Sequence, residues 1–266
     1  IVLVIIGLIV GGVLVGRDMI NSAVVRSQIS QIEEFTTATN TFRVKYGFLP
    51  GDMPPSQAAQ LGFFTFTGAQ AGKGCKVDGT AFGNNDGIIN ITKEGFPFWA
   101  HLADAKLIKG SYGGTAGSLL IADAAICTSL AGSPAVIPTT IEGWDLYLPR
   151  SKISPNSQVS VFGNYIGAPA TNFVYFKKTS KNNMFSLESG GIANTLTSRL
   201  AYQIDSKIDD GLPASGIIMD LDTADYGSGT PYDDEPCTTS GVSPIKYDLS
   251  PATADVANCY ALVVLF

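Results

Sequence analysis

The side chains able to do chemistry in this chain are few, and their spacing does not favour catalysis. There is one histidine, His101, set among Trp99, Ala100 and Leu102. A Ser–His–Asp triad or a zinc-hydrolase site needs a base supported by further ligands or orienting groups, and one imidazole fills a single position. A lone His on such an apolar stretch reads as structural. Neither a G-x-S-x-G elbow nor a G-x-x-x-x-G-K-[ST] phosphate loop occurs. These absences point away from an enzyme.

Carboxylates offer the other chemistry. Asp205, Asp209 and Asp210, followed by Asp220, Asp222 and Asp225, form the densest acidic group. On a helix Asp205 and Asp209 stand one turn apart on one side, where like charges repel unless a cation lies between them. Calcium takes about six to eight oxygen ligands, which clustered Asp side chains and loop carbonyls can supply. The candidate calcium ligands are therefore Asp205, Asp209, Asp210, Asp220 and Asp222, and a solvated acidic loop is the competing reading. The segment FGNNDGIIN, from Phe82 to Asn90, fails as an EF-hand. It has Phe82 where the first acid should stand and Lys93 at the twelfth position. It reads as a polar turn.

The elements that would hold these residues begin with the run IVLVIIGLIVGGVLV, residues 1–15, which has no charged or polar side chain and no proline. A membrane-spanning helix needs about 20 such residues. The run starts abruptly, without an initiator Met or a positive flank, so further apolar residues are expected upstream. No small-residue cleavage site separates it from the residues downstream, which argues against a removed signal peptide. The helical pattern continues past Arg17 and Asp18 to Gly47. Val25, Ile29, Ile32, Phe35, Phe42 and Tyr46 recur at helical steps as one apolar stripe. Arg26, Gln28, Gln31, Glu33, Glu34, Arg43 and Lys45 are assigned to the polar face. One helix of about 45 residues and roughly 70 Å results at 1.5 Å per residue. Heptads are not sustained, so a coiled coil is not expected. Within the apolar run, Gly7/Gly11 and Gly12/Gly16 make two G-x-x-x-G spacings, which permit close helix–helix approach.

Beyond Gly47 the residues 48–55 read as a rigid exit turn, and Ser56 is expected to cap a short helix over 56–61. Residues 62–91 are rich in Gly, Asn and Asp and read as loop or loose hairpin. A helix is predicted over 96–108 with Phe98, Trp99, Leu102 and Leu107 towards the core. Short strands are predicted over 118–122, 143–148, 158–162, 173–177 and 184–187, with a turn at Asn182 and Asn183. A second helix is expected over 193–208 with Leu196, Leu200, Ile204 and Ile208 in step. A strand over 217–221 and an apolar final strand ending at Phe266 complete the prediction. The fold class is α+β: a long N-terminal helix packed, lollipop-like, on a globular head with an antiparallel β-sheet. Residues 1–47 form the membrane or assembly helix and residues 48–266 an extracytoplasmic head.

Cys75, Cys127, Cys237 and Cys259 are widely spaced, with no C-x-x-C pair for a metal and no haem-attachment motif. A helix of this kind implies export, and export favours disulfides. Of the three possible connectivities, Cys75–Cys127 with Cys237–Cys259 closes the shorter loops.

The stretch IVLVIIGLIVGGVLVGRDMI followed by NTFRVKYGFLPGD resembles the N-terminal helix of type IV pilins and type II secretion pseudopilins. FWAHLADAKLIKGSY and AYQIDSKIDDGLPASG look like pieces of large pilin-like proteins. The resemblance implies a structural subunit of a type IV pilus-like filament, a helical homopolymer whose partners are further copies and inner-membrane assembly machinery. Such a subunit waits in the bacterial inner membrane and then enters an extracellular filament. Ile1, Val4, Ile5, Leu8 and Leu14 would anchor and bundle the segment, with Gly7, Gly11, Gly12 and Gly16 as points of close approach. The family's early glutamate would lie upstream of Ile1, pairing with a neighbour's N-terminal amine. Some pseudopilins bind calcium in a C-terminal loop, which bears on the aspartates above. Filaments of this family also show a melted segment at a depth comparable to residues 11–16. The alternatives are a pseudopilin of a type II secretion system and, in a different class, a single-span membrane-anchored binding protein.

Composition agrees with an exported, loop-rich protein: 29 Gly and 14 Pro among 266 residues, with charged residues at 15%. The formal net charge of −6 and the isoelectric point near 4.7 argue against nucleic acid, whose phosphates require clustered Lys and Arg.

Overall fold

A computed structural model of the chain describes residues 2–65, 83–89, 94–112, 148–153, 157–163, 183–189, 196–213, 215–220, 237–239, 246–252, 254–255, 257–259 and 261–265. The predicted strands over 118–122 and 173–177, most of 143–148, and Cys75, Cys127 and Asp222 lie outside these residues.

Helix α1 runs unbroken over Val2–Tyr46, 45 residues, or about 67 Å at 1.5 Å per residue. Its end is set by Gly47, whose φ of 77° no β-branched residue would tolerate and whose N–H caps the Arg43 carbonyl at 2.9 Å. Val25, Ile32, Phe35 and Phe42 are buried, with Ile29 and Tyr46 packed at the margin. Phe35 and Phe42 meet helix α3, Gly95–Asp104. The Phe35 and Trp99 rings lie edge to face at 4.8 Å, and Phe42 packs on Tyr46, Phe63 and His101. Burying each such side chain stabilises the fold by roughly 1.5–3 kcal/mol.

Two polar-face assignments are corrected here. Gln28 and Gln31 are buried. Gln28 Nε2 donates to Gln31 Oε1 at 3.2 Å, and Gln31 Nε2 donates to the Arg150 carbonyl at 2.9 Å. The Lys152 N–H donates to Gln28 Oε1 at 2.7 Å. The pair thus binds the backbone of 150–152 where it crosses the helix, replacing hydrogen bonds that burial would otherwise remove.

The short helix α2 spans Pro55–Gln60 and is preceded by Pro54, so Ser56 is not its cap. Pro55 at the first position needs no N–H partner and its φ is already helical. Helix α3 stops at Asp104, four residues before the expected end, because Lys106 takes a left-handed φ of 61°. Helix α4, Ser198–Ile208, starts later than expected. Thr197 is its N-cap, accepting from the Leu200 N–H at 3.1 Å, and an extended cap residue cannot also be helical. Leu196 and Thr197 instead form strand β3, which pairs antiparallel with β5, Ala257–Cys259. Strands β1 (Ser157–Gly163), β2 (Asn183–Ser189), β4 (Ile218–Asp220) and β6 (Ala261–Leu265) pair antiparallel in the order β1-β2-β6-β4. Val159 stands opposite Leu187 and Phe185 opposite Val264, which fixes the register. Cys237 and Cys259 form a disulfide that closes the 22-residue separation between them.

Candidate membrane and assembly surface

Helix α1 has two halves with different surroundings. From Val2 to Val15 every apolar side chain described faces outwards, and Leu3 is 84% exposed. Helix α1 is long and apolar enough to cross a membrane, with a mean hydropathy of 2.1 over an 18-residue window. Val4, Ile5 and Leu8 share that exposure. Ile1 and the side chain of Leu14 lie outside the described set.

The helix continues without a break through Gly7, Gly11, Gly12 and Gly16. A Cβ added at any of the four would meet nothing within 4 Å. These glycines therefore answer no packing need among the described residues. At about 100° per residue, Gly7 and Gly11 fall on one flank and Gly12 and Gly16 on a second, about 140° round. Backbone is bared on two sides of the helix.

Arg17 and Asp18 mark the polar boundary. Beside them the exposed Arg199, at the start of α4, holds Asp255 through Nε at 2.6 Å and Nη2 at 3.4 Å. That bond, and then the Arg199 charge, hold the Asp255 carboxyl below its usual range, with Arg17 adding to the effect. Both residues are solvent-accessible, so the pair contributes little to stability.

At the far end of α1, His101 ties the exit turn to α3. The Gly51 N–H donates to Nδ1 at 3.0 Å, and Nε2 faces the Phe64 carbonyl at 2.9 Å. With Nδ1 accepting, the ring proton sits on Nε2 and the imidazole is neutral. Burial lowers its pKa, against smaller opposing effects of the Phe64 carbonyl and Asp104. Gly51 is required by its φ of 81° and by the Glu94 carbonyl, which a Cβ would strike. The polar turn at 83–89 wraps two buried carboxylates that the pattern did not single out. Asp52 accepts from the Asp86 and Gly87 N–H groups, and Glu94 from those of Gly83 and Asn84. Nothing in a single sequence marks Asp52 or Glu94 as buried; only the returning loop makes them so.

Of the predicted calcium ligands, the structure brings Asp205, Asp209 and Asp210 together, with ligand atoms within 4.8 Å of one another. Their oxygens are largely engaged by the chain itself. Asp205 accepts from the Gly211 N–H at 3.1 Å and the Tyr247 hydroxyl at 3.0 Å. Asp209 accepts from the N–H groups of Ile217 and Ile218, and Asp210 from the Leu212 N–H and Ser215 hydroxyl. These bonds organise the turn from α4 into β4. Burial pushes the Asp205 carboxyl up to about 6, opposed by the Tyr247 and Gly211 bonds and reinforced by the Asp210 and Asp209 charges. Asp220 lies on β4 opposite Leu262.

Comparison with protein-family models, with curated proteins and with solved structures returns no match.

Proposed function

We propose that this chain is a structural subunit of a type IV pilus-like extracellular filament, held in a bacterial inner membrane before assembly. The observation that carries this reading is the division of α1. One continuous helix presents exposed apolar side chains over residues 2–15 and packs into a core from Val25 onwards. A plain anchor needs no rigid extension of this length beyond the bilayer. A subunit that must withdraw its apolar segment from lipid and bury it among copies of itself does. Glycines bared on two flanks suit a helix with more than one neighbour. In this reading the head completes the lollipop, and its loops face the outside of the filament.

Electron microscopy of material sheared from the surface of expressing cells tests the proposal. Filaments containing this chain along their length are expected. Retention of the chain in the envelope, in short periplasmic assemblies, would favour the secretion-pseudopilin alternative. Monomeric membrane protein under all conditions would favour a single-span binding protein.

A further inference from the structure

Where α1 leaves its exposed apolar run, the rim of the head carries two cations and two carboxylates side by side. At about 100° per residue, Asp18 falls about 20° round the helix from the buried Val25. Arg17 falls about 20° from the buried Gln28. Both therefore stand on the face of α1 that packs on the head, and Asp18 is about 10 Å before Val25 along the axis. Helix α4 lies against α1. The Arg199 N–H donates to the Ala254 carbonyl at 3.1 Å, which sets Asp255 beside Arg199, and their side chains pair at 2.6 Å. The Asp255 bond raises the Arg199 pKa, and the charges of Asp255 and Asp18 add to the effect. Arg17 in turn helps to hold the Asp255 carboxyl down. The start of α4 thus stands near residues 17 and 18. All four side chains are exposed. Among the described residues Arg17 and Asp18 have no ion pair of their own.

We infer that this rim docks on the headgroup layer of the bilayer that holds residues 2–15, and that it takes a zwitterionic headgroup with a primary ammonium, as in phosphatidylethanolamine. The inference rests on the membrane placement proposed above. Asp18 lies about 4.5 Å beyond Val15 along the axis, so no spacer separates the apolar run from the rim. With that run in hydrocarbon, the four charges lie among headgroups. A guanidinium there donates to a phosphate, and a carboxylate accepts from an ammonium. Set side by side, the two kinds of group match the two charges of one zwitterionic headgroup. An anionic headgroup would satisfy Arg17 and Arg199 but repel Asp18 and Asp255. The formal net charge of −6 adds no pull towards an anionic surface. A choline headgroup offers the carboxylates no N–H donor. Headgroups are less polar than bulk water, so these contacts are screened less than the exposed pair alone.

The test is carbodiimide coupling of the full chain reconstituted in vesicles of phosphatidylcholine and phosphatidylethanolamine. The reagent joins a carboxylate to a primary amine in contact with it, and mass mapping of lipid-modified peptides locates the product. Adducts at Asp18 and Asp255 are expected to exceed those at the exposed Glu33 and Glu34 several-fold. Glu33 stands about 22 Å from Asp18 along the axis, beyond the headgroup layer. Arg17→Ala, which removes an exposed phosphate contact and leaves the Arg199–Asp255 pair intact, should lower both adducts several-fold. Arg17→Lys should largely keep them. Adducts spread evenly over exposed carboxylates, adducts at Asp18 without Asp255, or yields indifferent to Arg17→Ala overturn the docking. If the chain in that case still resists carbonate extraction from the vesicles, the membrane placement stands and only the rim contact falls. If carbonate strips it from the vesicles, both fall.

Discussion

Ile9 and Phe42 are both apolar residues of the same helix, yet one is 60% exposed and the other fully buried. Around Phe42 the rings of Tyr46, Phe63 and His101 close in at 4.6–6.1 Å. Ile9 lies outside the core cluster of the described residues. The difference teaches that α1 is not one element energetically. Its second half belongs to the core and is stabilised by folding. Its first half keeps its apolar side chains exposed, and under the reading proposed above their burial comes from lipid or another copy. Hydrophobicity along the helix therefore measures two things, burial already made and burial still to come.

The strongest way to break this comparison is to remove one side of it. A chain starting near Ser22 should be a soluble, folded monomer, since Val25 and everything it packs on remain. The full chain should need detergent. Size-exclusion chromatography and circular dichroism check both, and aggregation of the shortened chain would sink the two-part description.

Next in size are paired truncations of side chains. Phe42→Ala should cost about 3–5 kcal/mol of folding stability. Ile9→Ala should leave the thermal unfolding of the head unchanged, because Ile9 is no part of the described core. Equal losses would mean that the first half folds back onto the head.

The exposed half can then be sharpened by adding methyl groups. Glycine in a helix interior costs about 1 kcal/mol relative to alanine. Replacing Gly11, Gly12 and Gly16 together with Ala should therefore raise the helicity of the detergent-solubilised monomer, since no Cβ would clash. Filament yield should fall if close approach or local extension at these positions is needed on assembly. Normal filaments from the triple variant would show the glycines to be dispensable.

On the head side, Asp205 provides a pH signature. Its folded pKa of about 6 lies above the ordinary aspartate value of 3.8. The folded state therefore binds more protons between those values, and stability falls as pH rises from about 4 through 6. Asp205→Asn keeps a carbonyl for the Gly211 N–H and an amide for the Tyr247 oxygen. It should flatten that slope and gain on the order of 2 kcal/mol at neutral pH relative to the buried carboxylate. A slope unchanged in the variant would assign the pH dependence elsewhere. The smallest expected effect comes from chelation. With the oxygens of Asp205, Asp209 and Asp210 engaged by the chain, millimolar EDTA should leave the melting temperature where it was. A drop abolished by Asp209→Ala would restore calcium as the organiser of this turn.

Much of the local structure is legible in the sequence because periodicity reports it directly. A proline-free helical pattern from residue 2 to Gly47 leaves the backbone little choice, and α1 ends where the glycine falls. Alternation over 158–162 and 184–187 marks what are strands β1 and β2. Boundaries fail where one residue has two uses. Leu196 is in step with Leu200, Ile204 and Ile208, yet it pairs with Cys259 in a strand, and the helix waits for the Thr197 cap.

What the sequence by itself determined is the long helix and its apolar first stretch, since composition and spacing act locally and need no partner. Only the tertiary structure decided which polar residues go inside. Gln28 and Gln31 read as surface until the backbone of 150–152 crosses them. Asp52 and Glu94 carry no signal of burial until residues 83–87 donate to them, and His101 is a lone imidazole until Gly51 and Phe64 clasp it. A buried polar group is tolerated only where a hydrogen-bond partner arrives, and here the partners are backbone groups from distant segments. Their arrival depends on how the chain returns to itself, which no local pattern encodes.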